Sequence, residues 1–439
     1  MPFENERASG ESLIWLENSQ ALKEFEGVIY VKTNSTPVSP PLIDVPRRDW
    51  FPRRVIAIDG SHLIHRVNNG FPGAEAGLLM ASVVAIRLDR LREIDFNTIP
   101  RPSFFRDLED VQTVEAALPG IGVVREGIQN DTPVDFFRQK AFDTLSSAIA
   151  DDHETLLETL RAILGEFQSS IQCPIDDCQR KYEIKDGEYS CNCERQEKLF
   201  ETDLLRLHEY FDGVSTGGEA LGRLRSVLEV LILLNILRFF IDKSPAYLDT
   251  CAFVLDGPLA IFGTPASILR PVRRELRRLN EKARSINGTD IVMFGMEKTG
   301  RFMEHWHQLD WQDGVGPGTR FPENTVIALD DEYIHSHIVP TDKKGKAFGE
   351  DTHFGRVILY KSNKGEHVVI HTSMLNEAGN DFSSNKLECY PRLGDTLDVM
   401  DRLGTQIYTG GFMPLVRAHA HAAIPLKRGT DIIRSLLED

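Results

Sequence analysis

Apolar and polar positions alternate in several rhythms along this chain of 439 residues, and each rhythm predicts an element. A β-branched run at 55–58 and another at 77–88, where Leu78, Leu79, Met80, Val83, Val84 and Ile86 cover one face well, predict two strands that open a β-meander. Residues 104–171 read mainly as helix, because Leu145, Ile149, Leu156, Leu157, Leu160, Ile163, Leu164 and Phe167 recur at three- and four-residue steps. Helical periodicity resumes over 199–210 and 220–241, with Gly213, Gly217 and Gly218 as the break. A second buried run, Cys251 to Leu255, predicts another strand, followed by a basic helix over 270–284. Strands are expected at 291–294, 325–329, 356–360 and 367–370, the last two joined as a hairpin through Lys361-Ser362-Asn363-Lys364-Gly365, and helices at 393–403 and 413–423. Residues 1–50 combine a short amphipathic piece at 13–25 with a Pro-rich run at 36–46, which predicts an N-terminal arm and linker.

A chain this long allows one large domain with insertions or two to three smaller ones; the strands and helices point to an α/β domain over 51–439, a mixed sheet flanked by helices, with a helical insertion at 104–245 between two of its strands. Two of the apolar runs, one before the insertion and one after it, end alike, in Ile58-Asp59-Gly60-Ser61 and Leu255-Asp256-Gly257-Pro258. If the two strands are neighbours, Asp59 and Asp256 meet at one sheet edge, where a divalent cation can bind. An Asp-Gly after a strand is also what an ordinary tight turn requires. Each run is unusually apolar for an exposed hairpin, however, and two converging carboxylates demand a cation or a raised pKa.

Charge and cysteines refine this picture. The net charge of −16 opposes non-specific adhesion to nucleic acid or an anionic membrane unless basic side chains are gathered in one place. They are gathered on the helix bearing Arg270, Arg273, Arg274, Arg277, Arg278, Lys282 and Arg284, where Arg270, Arg274, Arg277 and Arg278 fall largely on one face. Such a helix suits the DNA phosphate backbone without reading sequence; a solvated surface helix, or one docked on an acidic partner, has the same pattern. The apolar run at 227–241 carries Glu229, Asn235 and Arg238, so a buried helix is expected rather than a membrane span. With no secretory leader pattern, the expected setting is cytoplasmic. Four of the six cysteines, Cys173, Cys178, Cys191 and Cys193, cluster at 171–195 with the grammar of a zinc ribbon, although four unlinked thiols would look alike. Four thiolates leave no open position, so such a zinc is structural; His208 is a reserve ligand.

Several of these motifs follow one another in a telling order. Ile56-Ala57-Ile58-Asp59-Gly60-Ser61, the helix with Arg225 and Glu229, Val254-Leu255-Asp256-Gly257-Pro258-Leu259, Glu297-Lys298, Gly355-Arg356, and Pro414-Leu415-Val416-Arg417-Ala418-His419 form a succession that resembles the NurA nucleases over residues 50–430, the cysteine-bearing excursion excepted. The resemblance implies an RNase H-like fold, manganese- or magnesium-dependent cleavage of DNA, a homodimer, and a HerA-type hexameric ATPase as partner. It implies Asp59, Asp256 and Glu229 as metal ligands, with Glu219 a rival to Glu229 and a wet-face charge the bland alternative. It further implies that Lys298 approaches the phosphate or a ligand carboxylate, and that His419 orients water or protonates a leaving group, where a solvent-facing helix histidine is the alternative. Relatives tend to carry a tyrosine before this proline, whereas this chain has Gly410-Gly411-Phe412-Met413, which leaves a tyrosine role open with Tyr408 as stand-in. DNA-end processing and defence against foreign DNA both fit, and a non-catalytic adaptor of a translocase is the alternative.

Overall fold

The structure is a computed structural model that describes residues 10–28, 40–66, 73–91, 108–149, 153–165, 170–175, 177–184, 188–211, 217–312, 314–339, 346–375, 385–405 and 411–437. Phe167, the Lys185-Asp186-Gly187 turn, Gly213, Tyr408 and Gly410 lie outside the described residues. The chain divides into two compact units, Met1–Ser39 and Pro40–Asp439. In the first, the amphipathic piece forms two helices, α1 (Gly10–Glu17) and α2 (Gln20–Val28), because Ser19 accepts the Leu22 N–H at 3.1 Å and starts a new helix.

The second unit opens with β1 (Arg54–Arg66), β2 (Glu75–Arg87) and β3 (Glu109–Pro119), paired antiparallel in sequence order as the expected meander. Two expectations need correction here. The first run does not stop at Asp59-Gly60: β1 continues to Arg66, because β2 keeps pairing with it as far as Arg66↔Glu75. Residues 109–119 are strand rather than helix. They form a half-covered edge, with Val114, Leu118 and Pro119 buried and Asp110, Gln112, Thr113 and Glu115 exposed, held by eleven residues of pairing to β2 that local periodicity does not record.

The insertion follows. Thr132 caps α3 (Pro133–Leu145), and a Thr155/Glu158 capping box starts α4 (Leu156–Leu164). The cysteine region comprises two short hairpins, Ser170–Gln172 with Lys181–Glu183 and Glu188–Ser190 with Lys198–Phe200. Beyond it, 199–210 is not the expected continuous helix but two 3-10 turns, Glu201–Leu205 and Leu207–Tyr210, split by Arg206 in the left-handed region. Buried Asp203 fixes that geometry by accepting the Phe200 N–H and pairing with Arg138. The long helix α5 (Gly218–Lys243) is the buried helix expected from 227–241; its Asn235 and Arg238 are satisfied by Thr159, Glu154 and Glu275. Among the described residues, no helix is long and apolar enough to cross a membrane.

The chain then returns to the sheet through β4 (Cys251–Asp256), α6 (Leu269–Asn287), β5 (Val292–Glu297), α7 (Arg301–Leu309), β6 (Val326–Ala328), α8 (Asp331–His337), β7 (Gly355–Lys361) and β8 (His367–Ser373). It ends in α9 (Leu393–Leu403), α10 (Met413–Ala422) and α11 (Leu426–Leu437). The eight-stranded order is β6-β7-β8-β5-β4-β1-β2-β3, with β4 parallel to β1 and β5 parallel to β4. An antiparallel 3-2-1 meander continued by two parallel strands is the expected RNase H-like arrangement within a mixed α/β sheet.

Strand alternation sorts the core into two layers. Ile56, Ile58, Phe253 and Leu255 pack with the insertion helix α5 and with α6, whereas Val55, Ala57, Ala252 and Val254 pack with α9 and α10. This parity fixes the site.

Candidate active site

Asp59 and Asp256 carry the parity of Ala57 and Val254, so both belong to the α10 face of the sheet. The parallel register between β1 and β4 ends at Ile58↔Leu255, and the two aspartates are the next step along it. One ligand atom each from Asp59, Asp256 and His419 lies within 4.8 Å of the other two. The convergence expected from the two Asp-Gly runs is thus present.

α10 is pinned where His419 needs it. The Ser61 hydroxyl donates to Ala422 O, and Ser82 Oγ donates to Ala418 O at 2.8 Å, so hydroxyls from β1 and β2 flank the turn that carries His419. Arg417 adds a two-pronged pair with Glu109 of β3 at 2.5 and 2.8 Å, and His421 turns to the same Glu109 at 3.3 Å, away from the aspartates. His419 Nδ1 then meets Asp59 Oδ2 at 2.8 Å while its side chain remains 62% exposed. On the other side, Lys298, directly after β5, donates to Asp256 Oδ2 at 2.6 Å.

The two glycines that follow the aspartates do different work. Gly60 sits mid-strand and faces α5, where an added Cβ would come within 2.7 Å of Glu229 Oε1 and 2.8 Å of Arg225 Cγ. Only glycine lets α5 approach so closely. Gly257 has φ +118° and ends β4 in a conformation that L side chains rarely adopt. Glu229 therefore approaches β1 from the face opposite the aspartates, and its carboxylate is outside the close group they form with His419. Glu219 is mostly exposed and paired with Arg223 at 2.9 Å.

Electrostatics at this edge are unfavourable to charge. Burial, then repulsion by Asp256, pushes the Asp59 carboxyl above the usual carboxylate range, against hydrogen bonds from His419 and from the Gly60 N–H at 2.8 Å. Burial pushes Glu229 up to about 8; Arg225 works against this, while Asp59 and Asp256 add to it.

Two cavities flank Asp256. One, of about 760 Å³, is lined by Lys298, Arg301, His353 and His419 among others, and the second, of about 370 Å³, by Arg223, Arg225 and Glu229.

The basic helix is α6, and much of its charge is engaged internally. Arg273 donates to the carbonyls of Gly349, Glu350 and His353, Arg274 to Ile163 O, and Arg278 to Glu275. Arg284 pairs with Asp290. Arg270 is exposed, and Arg277 donates to Arg273 O at 3.4 Å.

Among the described residues, Cys173, Cys178, Cys191 and Cys193 form a second close group of metal-binding side chains, with Cys178 Sγ 3.6 Å from Cys191 Sγ. Burial works to raise the Cys191 thiol, but hydrogen bonds from the Tyr182 hydroxyl at 3.0 Å and from Cys173 and Cys178 outweigh it and bring it down to about 7. Four clustered sulfurs with one poised to ionise suit a tetrahedral zinc. His208 is not part of the group; it lies beside Asp203.

The chain matches no protein-family model and no curated protein. Among solved structures it is similar to the NurA nuclease from Sulfolobus solfataricus, at 11% identity over 97% of this chain and 94% of that one with a TM-score of 0.31. A second NurA structure matches at 10% identity over 98% of both chains with a TM-score of 0.30. Likenesses of this size carry no activity across, and the site is assigned from its own geometry.

Proposed function

We propose that this chain is a nuclease that hydrolyses phosphodiester bonds in DNA with manganese or magnesium held by Asp59 and Asp256. The observation that carries the reading is the meeting of two carboxylates and an imidazole, from β1, β4 and α10, at the one edge where β1 and β4 stop pairing. Buried Asp59 is penalised for its charge and repelled by Asp256, a deficit that a hard divalent cation removes, and the oxygen-rich donor set suits manganese or magnesium. A divalent cation there would offset charge on the phosphate oxygens and make water a stronger nucleophile near neutral pH.

The remaining roles belong to the chain. Lys298 holds Asp256 in place and can donate to a phosphate oxygen from the adjoining cavity. His419 is fixed through Nδ1, which leaves its other ring nitrogen to orient water or return a proton to the departing oxygen. Glu229 is the third carboxylate of this reading, reaching β1 from the opposite face. Arg270 and Arg277 are the α6 side chains proposed to grip phosphates, Arg273, Arg274 and Arg278 being proposed to brace the helix. The motif order further supports a homodimer working with a HerA-type hexameric ATPase in DNA-end processing or defence, and zinc stapling the insertion.

The test is cleavage of linear DNA by the purified protein in Mn²⁺, with and without that ATPase. Wild type should cut, while Asp59→Ala and Asp256→Ala should not, at an unchanged or higher melting temperature. Absence of cutting by wild type would leave the adaptor, and cutting that survives both substitutions would place the chemistry away from this aspartate pair.

A further inference from the structure

We propose that Phe262 is a stacking platform for one base of the substrate strand, so that the site takes an unpaired strand in preference to a duplex; this rests on the phosphodiester reading above. Among the described residues, Asp256, Gly257, Pro258 and Phe262 alone border both cavities, so they form the ridge between them. Cations stand on each side of that ridge, Arg223 and Arg225 in one cavity and Lys298 and Arg301 in the other. A strand whose scissile phosphate lies at Asp256 would cross the ridge with neighbouring phosphates toward each pair, which leaves its base over the one large apolar side chain there.

Phe262 is built for this rather than left over. The residue is 38% exposed although it borders a polar site, which is costly for a ring with no partner in solvent. It is held from behind by His353, edge to face at a centroid distance of 5.5 Å, and burial keeps that imidazole far below its usual pKa and hence neutral. The backbone on either side is fixed as well. Ile261 N–H donates to Thr352 O at 2.8 Å, Phe354 N–H donates to Leu259 O at 2.8 Å, and Thr264 N–H donates to the Tyr210 hydroxyl at 2.9 Å, so the backbone that carries the ring is held in place. A rigid, partly open ring beside cations is the combination by which single strands are held without regard to sequence. Paired bases in a duplex are already stacked and offer no free face.

The experiment compares wild type, Phe262→Ala and Phe262→Trp in Mn²⁺ on a single-stranded oligonucleotide and on a same-length strand made wholly of abasic sites. Phe262→Ala should raise KM about 10-fold or more on the intact strand with kcat little changed. Phe262→Trp should restore KM, and on the abasic strand all three proteins should be equal. An unchanged KM in Phe262→Ala, or the same penalty on the abasic strand, overturns the platform while leaving the nuclease reading intact. If wild type cuts nothing, the nuclease reading fails instead, and the same comparison read as equilibrium binding by fluorescence anisotropy still decides whether Phe262 stacks on bases.

Discussion

Glu229→Gln isolates the electrostatic cost of this site, and its size can be worked from the geometry. The folded chain holds the Glu229 proton up to about pH 8, against an ordinary value of 4.5. At 1.36 kcal/mol per pH unit the interval corresponds to about 4–5 kcal/mol. The sign follows from which state binds the proton. Below pH 4.5 folded and unfolded chains are both protonated, and nothing is lost. Between 4.5 and 8 the unfolded chain ionises freely while the folded chain keeps its proton, so stability falls as pH rises; above about 8 the loss is complete. Glutamine removes that slope and keeps an oxygen beside Gly60. With an unfolding entropy of roughly 2.1 cal/mol/K per residue, a chain of 439 residues changes by about 0.9 kcal/mol per degree. The melting temperature of Glu229→Gln, measured without added divalent cation, should therefore match wild type near pH 4.5 and exceed it by about 5 °C above pH 8. A gap that is constant across pH, or that closes as pH rises, refutes a buried, proton-holding Glu229.

The arginines of α6 should divide into two classes. Arg270→Ala with Arg277→Ala should reduce the slope of log affinity for DNA against log salt by up to about 0.9 for each phosphate no longer gripped, whereas Arg273→Ala, which removes the side-chain donor to the carbonyls of Gly349, Glu350 and His353, should lower the melting temperature instead. At the ribbon, purified protein should carry one zinc per chain by metal analysis, and Cys191→Ser should lose it and open residues 170–200 to proteolysis.

The aspartate pair was legible because two runs too apolar for exposed hairpins are each broken by a carboxylate, and the parity of the strands does the rest. What it concealed has physical causes. The continuation of β1 past Gly60 depends on β2, since the segment with His62 and His65 has no apolar rhythm of its own. β3 was hidden because an edge strand needs only one buried side. The side on which Glu229 arrives depends on the bare face of Gly60, a close approach that leaves no periodic mark. Ser82, which helps pin α10, sits in an apolar strand run that carries no sign of its partner more than three hundred residues on. The uniform basic face of α6 concealed that several arginines end on backbone carbonyls, acceptors that every residue supplies.

Manganese titration of the zinc-loaded protein, followed by the loss of the free Mn²⁺ electron paramagnetic resonance signal, tests the shared cation site most directly. Wild type should bind manganese, and Asp59→Asn and Asp256→Asn should each weaken the same site by more than 10-fold. Binding that survives either substitution unchanged would mean that the two aspartates do not share an ion, and the proposed chemistry would lose its centre.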